Sequence, residues 1–274
     1  MLNKKVIGVA LACALALGAW SGAALATPIN VGGVVFDPAS PFNITMQAIN
    51  FRESAVATPG NTLMGYGLIG SVNNNLQATF CPGCQLTFTF QYTLSNVYTG
   101  GSQPQAVFTN GSLQFYVESG IGSFDVMNPA SASAGTQWLT LSGHTAPASG
   151  FTQPGQLGQL YSNVQGSVAQ PGNNSSGFGY LDATGGQAAP YFNTNTFNLG
   201  TYGFADFNLT SSFLFDGVKI CQGDTCYPIN GAGTLKGSAA VPVPEPGSIG
   251  LLGGGLAILG LLLRRRNREA AGRA

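Results

Sequence analysis

Charged residues are few in this chain: they make up 7% of its 274 residues, against about 25% in an ordinary globular domain. The shortage is greatest between Thr27 and Ala240, where three basic and eight acidic side chains give a net charge of −5. Without a basic patch, this stretch is not expected to bind nucleic acid or anionic lipid. Its surface must be built mainly from Asn, Gln, Ser, Thr and Gly.

Histidine and recognisable catalytic motifs are also scarce. His144 is the single histidine, which excludes a site with several histidine ligands and makes it the only base available to a Ser-His-Asp triad. No G-x-S-x-G motif accompanies it, and we expect an exposed polar side chain in a loop-rich region. The eight acidic residues stand apart and form no glycosidase or calcium-loop motif. We therefore predict no catalytic residue, no metal and no cofactor, in a protein that is not an enzyme.

Long apolar runs occur only near the two ends of the sequence. At the first, two lysines precede the apolar run Val6 to Ala19, and Ala24 and Ala26 occupy the small-residue positions of a cleavage site before Thr27. This order is typical of a secretory signal peptide spanning residues 1–26. A retained membrane helix is the alternative, which the shortness of the apolar run disfavours.

The second apolar run is flanked by two further features. In order, residues 241–274 contain the Pro-rich motif Val243, Pro244, Glu245 and Pro246, the apolar run Ile249 to Leu263, and a basic cluster of Arg264, Arg265, Arg266 and Arg268. A helix of fifteen residues rises only about 22 Å against a hydrocarbon core of about 30 Å, so we predict a marginal transmembrane helix drawing on residues 247–263. The arginines would remain cytoplasmic, which places Glu245 at the outer membrane face in an extended, accessible segment.

This ordered combination resembles the PEP-CTERM sorting signal. The resemblance is confined to residues 241–274 and implies recognition by exosortase, a membrane-embedded processing enzyme of Gram-negative bacteria that is usually associated with exopolysaccharide production. It also implies export through the inner membrane by the general secretion machinery, followed by a location at the cell surface or in the extracellular matrix. An ordinary single-pass anchor with a Pro-rich stalk is the alternative.

Alternation of apolar and polar residues dominates the middle of the chain. In residues 86–94, five apolar residues share one face and four polar residues the other, and similar patterns run through residues 113–117 and 207–215. Clusters of Gly and Asn supply turns between them. We predict one all-β ectodomain over residues 27–240, an antiparallel β-sandwich with plain or jelly-roll topology. Residues 130–179, rich in Ser, Gly, Gln, Asn and Pro, are expected to form long loops or a weakly ordered insertion.

Four cysteines remain after removal of the signal peptide: Cys81, Cys84, Cys221 and Cys226. An oxidising compartment favours disulfides. Of the three possible pairings, we favour the two local ones, Cys81 with Cys84 and Cys221 with Cys226, since each encloses a short turn. A thioredoxin-like redox site and a four-cysteine zinc site are the alternatives, and both fit less well because a strand rather than a helix follows Cys84.

Two functions of different classes remain open on these residues. The first is a structural or adhesive matrix protein, associated with exopolysaccharide or biofilm. The second is a secreted carbohydrate-active enzyme or sugar-binding module with a jelly-roll core, in which Trp138 could contribute to a sugar-binding face, although core packing explains most aromatic residues first. The low charge also predicts self-association through unguarded strand edges.

Overall fold

The computed structural model describes residues 28–38, 44–101, 103–147 and 156–240. The predicted signal peptide and the predicted transmembrane helix lie outside these ranges. Within the described ranges, no helix has both the length and the apolar character needed to cross a membrane.

Ten strands join in one antiparallel sheet. They are β3 (Ile44–Glu53), β4 (Thr62–Val72), β5 (Asn75–Leu76), β6 (Cys84–Tyr98), β7 (Gln105–Ser119), β8 (Thr136–His144), β11 (Leu160–Asn163), β14 (Ser175–Gly185), β17 (Phe207–Phe215) and β20 (Ile229–Gly237).

Short strands pair in five two-stranded ribbons. They are β1 (Ile29–Val31) with β2 (Val34–Phe36), β9 (Ala146–Pro147) with β10 (Leu157–Gly158), β12 (Gly166–Ser167) with β13 (Gln170–Pro171), β15 (Phe197–Asn198) with β16 (Phe204–Ala205), and β18 (Cys221–Gln222) with β19 (Thr225–Cys226). The short helices are α1 (Gln77–Phe80), α2 (Ala189–Phe192) and the 3₁₀ turns Pro129–Ser133 and Gly200–Tyr202.

The large sheet closes on itself. Its strands follow the order β20, β17, β14, β11, β7, β6, β4, β3, with β8 and β11 sharing the place between β7 and β14, and β20 packs beside β3. The prediction of an all-β, antiparallel ectodomain is confirmed. A β-sandwich consists of two packed layers. Here one closed sheet supplies both layers, because its opposite walls face each other across the core. β3 and β20 lie side by side, so neither leaves a free edge of this sheet. Self-association of the ectodomain stays a prediction.

The core lies inside the sheet and follows the predicted alternation. On β6, Leu86, Phe88, Tyr92 and Leu94 are all buried. A two-residue turn connects β4 to β5, and its residues Asn73 and Asn74 adopt φ values of 52° and 63°, in the left-handed region that asparagine tolerates.

Trp138 is a core residue rather than part of a sugar-binding face. Its side chain is 1% exposed, and its indole N–H donates to the carbonyl of Val31, 2.9 Å away. Its ring meets Phe36, Phe115 and Phe192 edge-on. Trp138 therefore ties β8 to the β1–β2 ribbon and to α2.

The expectation of long loops throughout residues 130–179 is wrong. That stretch contains β8, β11 and the start of β14. Both β8 and β11 pair with β7 on one side and with β14 on the other. Their glycines explain the weak pattern, because a side chain at Gly179 would collide with the carbonyl of Gln159 and one at Gly143 with the side chain of Gln159. Glycine stands at these positions because the strands approach each other closely. The sequence therefore lacks the alternating apolar residues by which a strand is usually recognised.

Candidate functional site

An uncharged groove lies on the outer face of β4, β6 and β7. Most of its floor is made by side chains that alternate with those of the core, and its volume is about 270 Å³. The residues lining it are Met64, Gly65, Tyr66, Thr89, Phe90, Gln91, Ser112, Gln114, Tyr116, Pro129, Ser133, Gln222 and Tyr227. None of them carries a charge.

Two tyrosines anchor one side of the groove. Tyr66 and Tyr227 meet edge-on with their ring centroids 4.9 Å apart, and the Tyr66 hydroxyl donates to the carbonyl of Val126 at 2.7 Å. Burial raises the pKa of Tyr66 to about 12 and also raises the pKa of Tyr227. Both hydroxyls therefore stay neutral in any physiological medium.

The rest of the floor is more accessible and rich in amides. Tyr116 is half-buried and its hydroxyl donates to the side-chain oxygen of Gln114 at 2.5 Å, while Gln91 and Gln222 are exposed. Amides offer both donors and acceptors, and tyrosine offers an apolar ring with a polar tip. This combination suits a neutral ligand with alternating C–H and hydroxyl surfaces, such as a sugar.

Sequence reasoning missed this groove, although a signal was present. Gln114 and Tyr116 occupy the polar phase of β7, between Leu113, Phe115 and Val117. An outward tyrosine beside an outward glutamine is the pattern in the sequence that corresponds to this groove.

Both local disulfides are present in the structure. Cys81 pairs with Cys84 between α1 and β6, and Cys221 pairs with Cys226 across the β18–β19 ribbon. The β18–β19 ribbon places Gln222 at the rim of the groove. The Cys221–Cys226 bond thus braces an exposed ribbon, whereas Cys81 and Cys84 are buried in the core.

We expect all four of these thiols to be oxidised in the exported form, since an oxidising compartment retains local disulfides. Alkylation of the denatured protein, followed by mass measurement, should add no label before reduction and four labels after it. Labelling before reduction, or zinc that co-purifies in stoichiometric amount, would contradict the disulfide assignment.

The remaining predicted site residues lie outside the described residues. They are the signal-cleavage residues Ala24, Ala26 and Thr27, the motif Val243, Pro244, Glu245 and Pro246, and the basic cluster Arg264, Arg265, Arg266 and Arg268.

The prediction of an exposed His144 in a loop is wrong. His144 ends β8 and is half-buried, with Nδ1 2.8 Å from a carboxylate oxygen of Asp182 and Nε2 2.8 Å from the carbonyl of Tyr202. A catalytic triad needs Nε2 to receive the proton of a nucleophile. Here Nε2 is already engaged by the backbone carbonyl of Tyr202. His144 and Asp182 therefore hold the Gly200–Tyr202 turn against the sheet.

Asp206 has a structural role. Asp206 is buried and accepts hydrogen bonds from the backbone N–H groups of Ala183, Thr194 and Asn195 at 2.7 to 2.8 Å. Among the residues that the structure describes, no group of three or more His, Cys, Asp and Glu side chains is placed to hold a metal ion.

Arg52 and Asp216 form an ion pair, with 2.5 Å between Nη1 and Oδ2. Burial alone would raise the pKa of Asp216, but the hydrogen bonds from the Val218 N–H and from Arg52 outweigh it and lower that pKa. The carboxylate thus stays ionised beside Arg52, whose side chain is only 11% exposed.

Asp216→Ala should lower the free energy of unfolding by about 2 kcal/mol, because the largely buried Arg52 loses its charged acceptor. Asp224→Ala removes the same charge from an exposed turn and should change stability by less than about 0.5 kcal/mol. Urea denaturation of both variants measures the difference. Equal effects would show that the ion pair contributes nothing.

Comparisons with known proteins concern residues that do not line the groove. Residues 242–266 match the family model of the PEP-CTERM protein-sorting motif. Comparisons with curated proteins and with solved structures found no match. The motif implies exosortase processing and export to the cell envelope or surface of a Gram-negative bacterium. The chain therefore carries a PEP-CTERM sorting motif at residues 242–266 and is an exosortase-targeted exported protein.

Proposed function

We propose that this protein is a non-enzymatic structural or adhesive component of the extracellular matrix, associated with exopolysaccharide or biofilm. The sorting motif carries the proposal, since it directs the protein to exosortase. On this proposal, the general secretion machinery exports the chain, the signal peptide is removed before Thr27, and exosortase acts near Pro244-Glu245-Pro246 while the inner membrane holds residues 247–263.

The groove supports a role in binding neutral polysaccharide. Its lining combines tyrosine rings with glutamine, serine and threonine side chains and no charged group. A polymer of neutral sugars has no charge to pair, so binding must come from hydrogen bonds and from contact with aromatic rings. The net charge of −5 between Thr27 and Ala240 disfavours polyanionic polymers for the same reason.

Mass spectrometry of the mature protein tests the sorting part of the proposal. We expect an N-terminus at Thr27 and a C-terminus close to Pro244-Glu245-Pro246. Glu245→Ala should block C-terminal processing and leave the protein in the membrane fraction, whereas the matched control Ser248→Ala should be processed. An intact Arg264–Ala274 tail on surface-exposed protein would sink this part of the proposal.

Retention of the purified chain on a panel of insoluble neutral polysaccharides tests the groove. Tyr116→Ala and Gln114→Ala should each weaken retention at least tenfold, by loss of one ring contact or one amide. Tyr202→Ala is the control, because that tyrosine is 40% exposed and does not line the groove. Release of soluble sugars would instead support a carbohydrate-active enzyme, and equal retention of all variants would remove the groove from the proposal.

A further inference from the structure

A cavity of about 70 Å³ lies inside the closed sheet, and Phe90 lines both this cavity and the outer groove. Its wall is formed mostly by aromatic and aliphatic side chains of β3, β6, β7 and β17. Among them are Phe51, Phe88, Phe90, Leu113 and Leu209. Such a wall ordinarily contains no ionisable group.

Glu53 is nevertheless part of this wall. It is the last residue of β3, is 6% exposed, and receives no side-chain hydrogen bond from any residue that the structure describes. Burial raises the pKa of Glu53 to about 8, so the carboxyl is mainly neutral in a medium at pH 7. A neutral carboxyl can donate one hydrogen bond and accept others.

Tyr92 also lines this cavity. It is 1% exposed, and its hydroxyl has no hydrogen-bond partner among the described residues. The Tyr92 hydroxyl is closed off from the cavity, whereas Glu53 lines it without a side-chain partner. An unpartnered carboxyl in an apolar cavity indicates that another molecule satisfies it.

A second cavity, of about 40 Å³, adjoins the first. Both are lined by Glu53, Leu160 and Ser211, so polar groups are present where the two cavities meet. Val56, Leu63 and Phe108 continue the apolar wall on the far side. The arrangement is two apolar pockets with a polar junction.

The shape and chemistry of this interior limit its occupant. A buried water molecule needs two to four polar partners, which Glu53 and Ser211 could supply at the junction but the aliphatic and aromatic parts of the wall do not. A molecule with an apolar body and one polar group would fill both pockets and satisfy the groups at the junction. We propose that the two cavities form one binding site for a small aliphatic molecule that carries a single carbonyl or hydroxyl group between short alkyl arms.

Ligand-observed NMR on the purified full-length chain, with 3-hexanone as the probe, tests this proposal. We expect saturable binding to the wild-type chain. Glu53→Leu should weaken binding at least tenfold, because the hydrogen-bonding group at the junction is lost, while Glu53→Gln should bind within about threefold of wild type, since its amide still donates. Ser211→Ala removes the hydroxyl that lines both cavities and should also weaken binding.

Two results would overturn the proposal. One is the absence of saturable 3-hexanone binding to the wild-type chain, which would mean that its interior holds water alone. The other is equal binding by wild type, Glu53→Leu and Ser211→Ala. Circular dichroism of each variant confirms folding, and Ser211→Ala keeps the test valid if Glu53→Leu does not fold. The outcome is independent of the outer groove, because Tyr116→Ala should leave 3-hexanone binding unchanged.

Discussion

Glu53→Gln should raise the free energy of unfolding by about 4 to 5 kcal/mol at pH 8.5 and leave it nearly unchanged at pH 4. In the unfolded chain, this carboxyl ionises above its ordinary pKa of 4.5, whereas burial in the folded protein raises that pKa to about 8. Between these values the unfolded state loses a proton that the folded state keeps, so stability falls as the pH rises. Each unit of the difference corresponds to about 1.4 kcal/mol, and glutamine removes the whole dependence.

Chemical denaturation at pH 4, 6 and 8.5 measures this effect. Ser54→Ala is the control beside it: Ser54 accepts a hydrogen bond from the N–H of Met64 at 2.9 Å, and its loss should cost about 1 kcal/mol at every pH. The same slope of stability against pH in wild type and Glu53→Gln would show that this carboxyl is not held neutral.

Trp138→Ala should lower the free energy of unfolding by about 4 kcal/mol, within the range for removal of a large aromatic residue from a core. The indole is 1% exposed and joins β8 to the β1–β2 ribbon through its hydrogen bond to Val31. Trp138→Phe keeps a ring but loses that hydrogen bond, and we expect it to cost about half as much.

Thermal and urea denaturation of the two Trp138 variants give these values. The order of the losses is the informative result: alanine must cost more than phenylalanine. Losses below about 1 kcal/mol for alanine would mean that the β1–β2 ribbon and α2 do not pack on the sheet as described.

The sequence predicted local features well because local chemistry determines them. Alternation along β6 specified its buried face, and the short spacing of each cysteine pair matched the disulfides that the structure contains. Closure of the sheet was not predictable, since β3 and β20 are far apart in the sequence and no local pattern encodes their contact.

The inward position of Glu53 was hidden for a more specific reason. Ile44, Met46 and Ala48 are buried on β3, and then the pairing with β4 becomes irregular around Asn50, which adopts a φ of 62°. This irregularity inverts the parity of the strand, so that Phe51 and Glu53 face inward. A strictly alternating reading of β3 would have placed Glu53 in solvent.

Closure of the ten-stranded sheet has a consequence for survival outside the cell. Proteases cleave extended backbone that is free of other pairing, and in folded proteins such backbone occurs mainly at loop tips. Because β20 lies beside β3, neither flank of the sheet offers a free strand. An extracellular protease would therefore be confined to the connecting segments, two of which, the segment Pro82-Gly83 and the turn between β18 and β19, are each bridged by a disulfide.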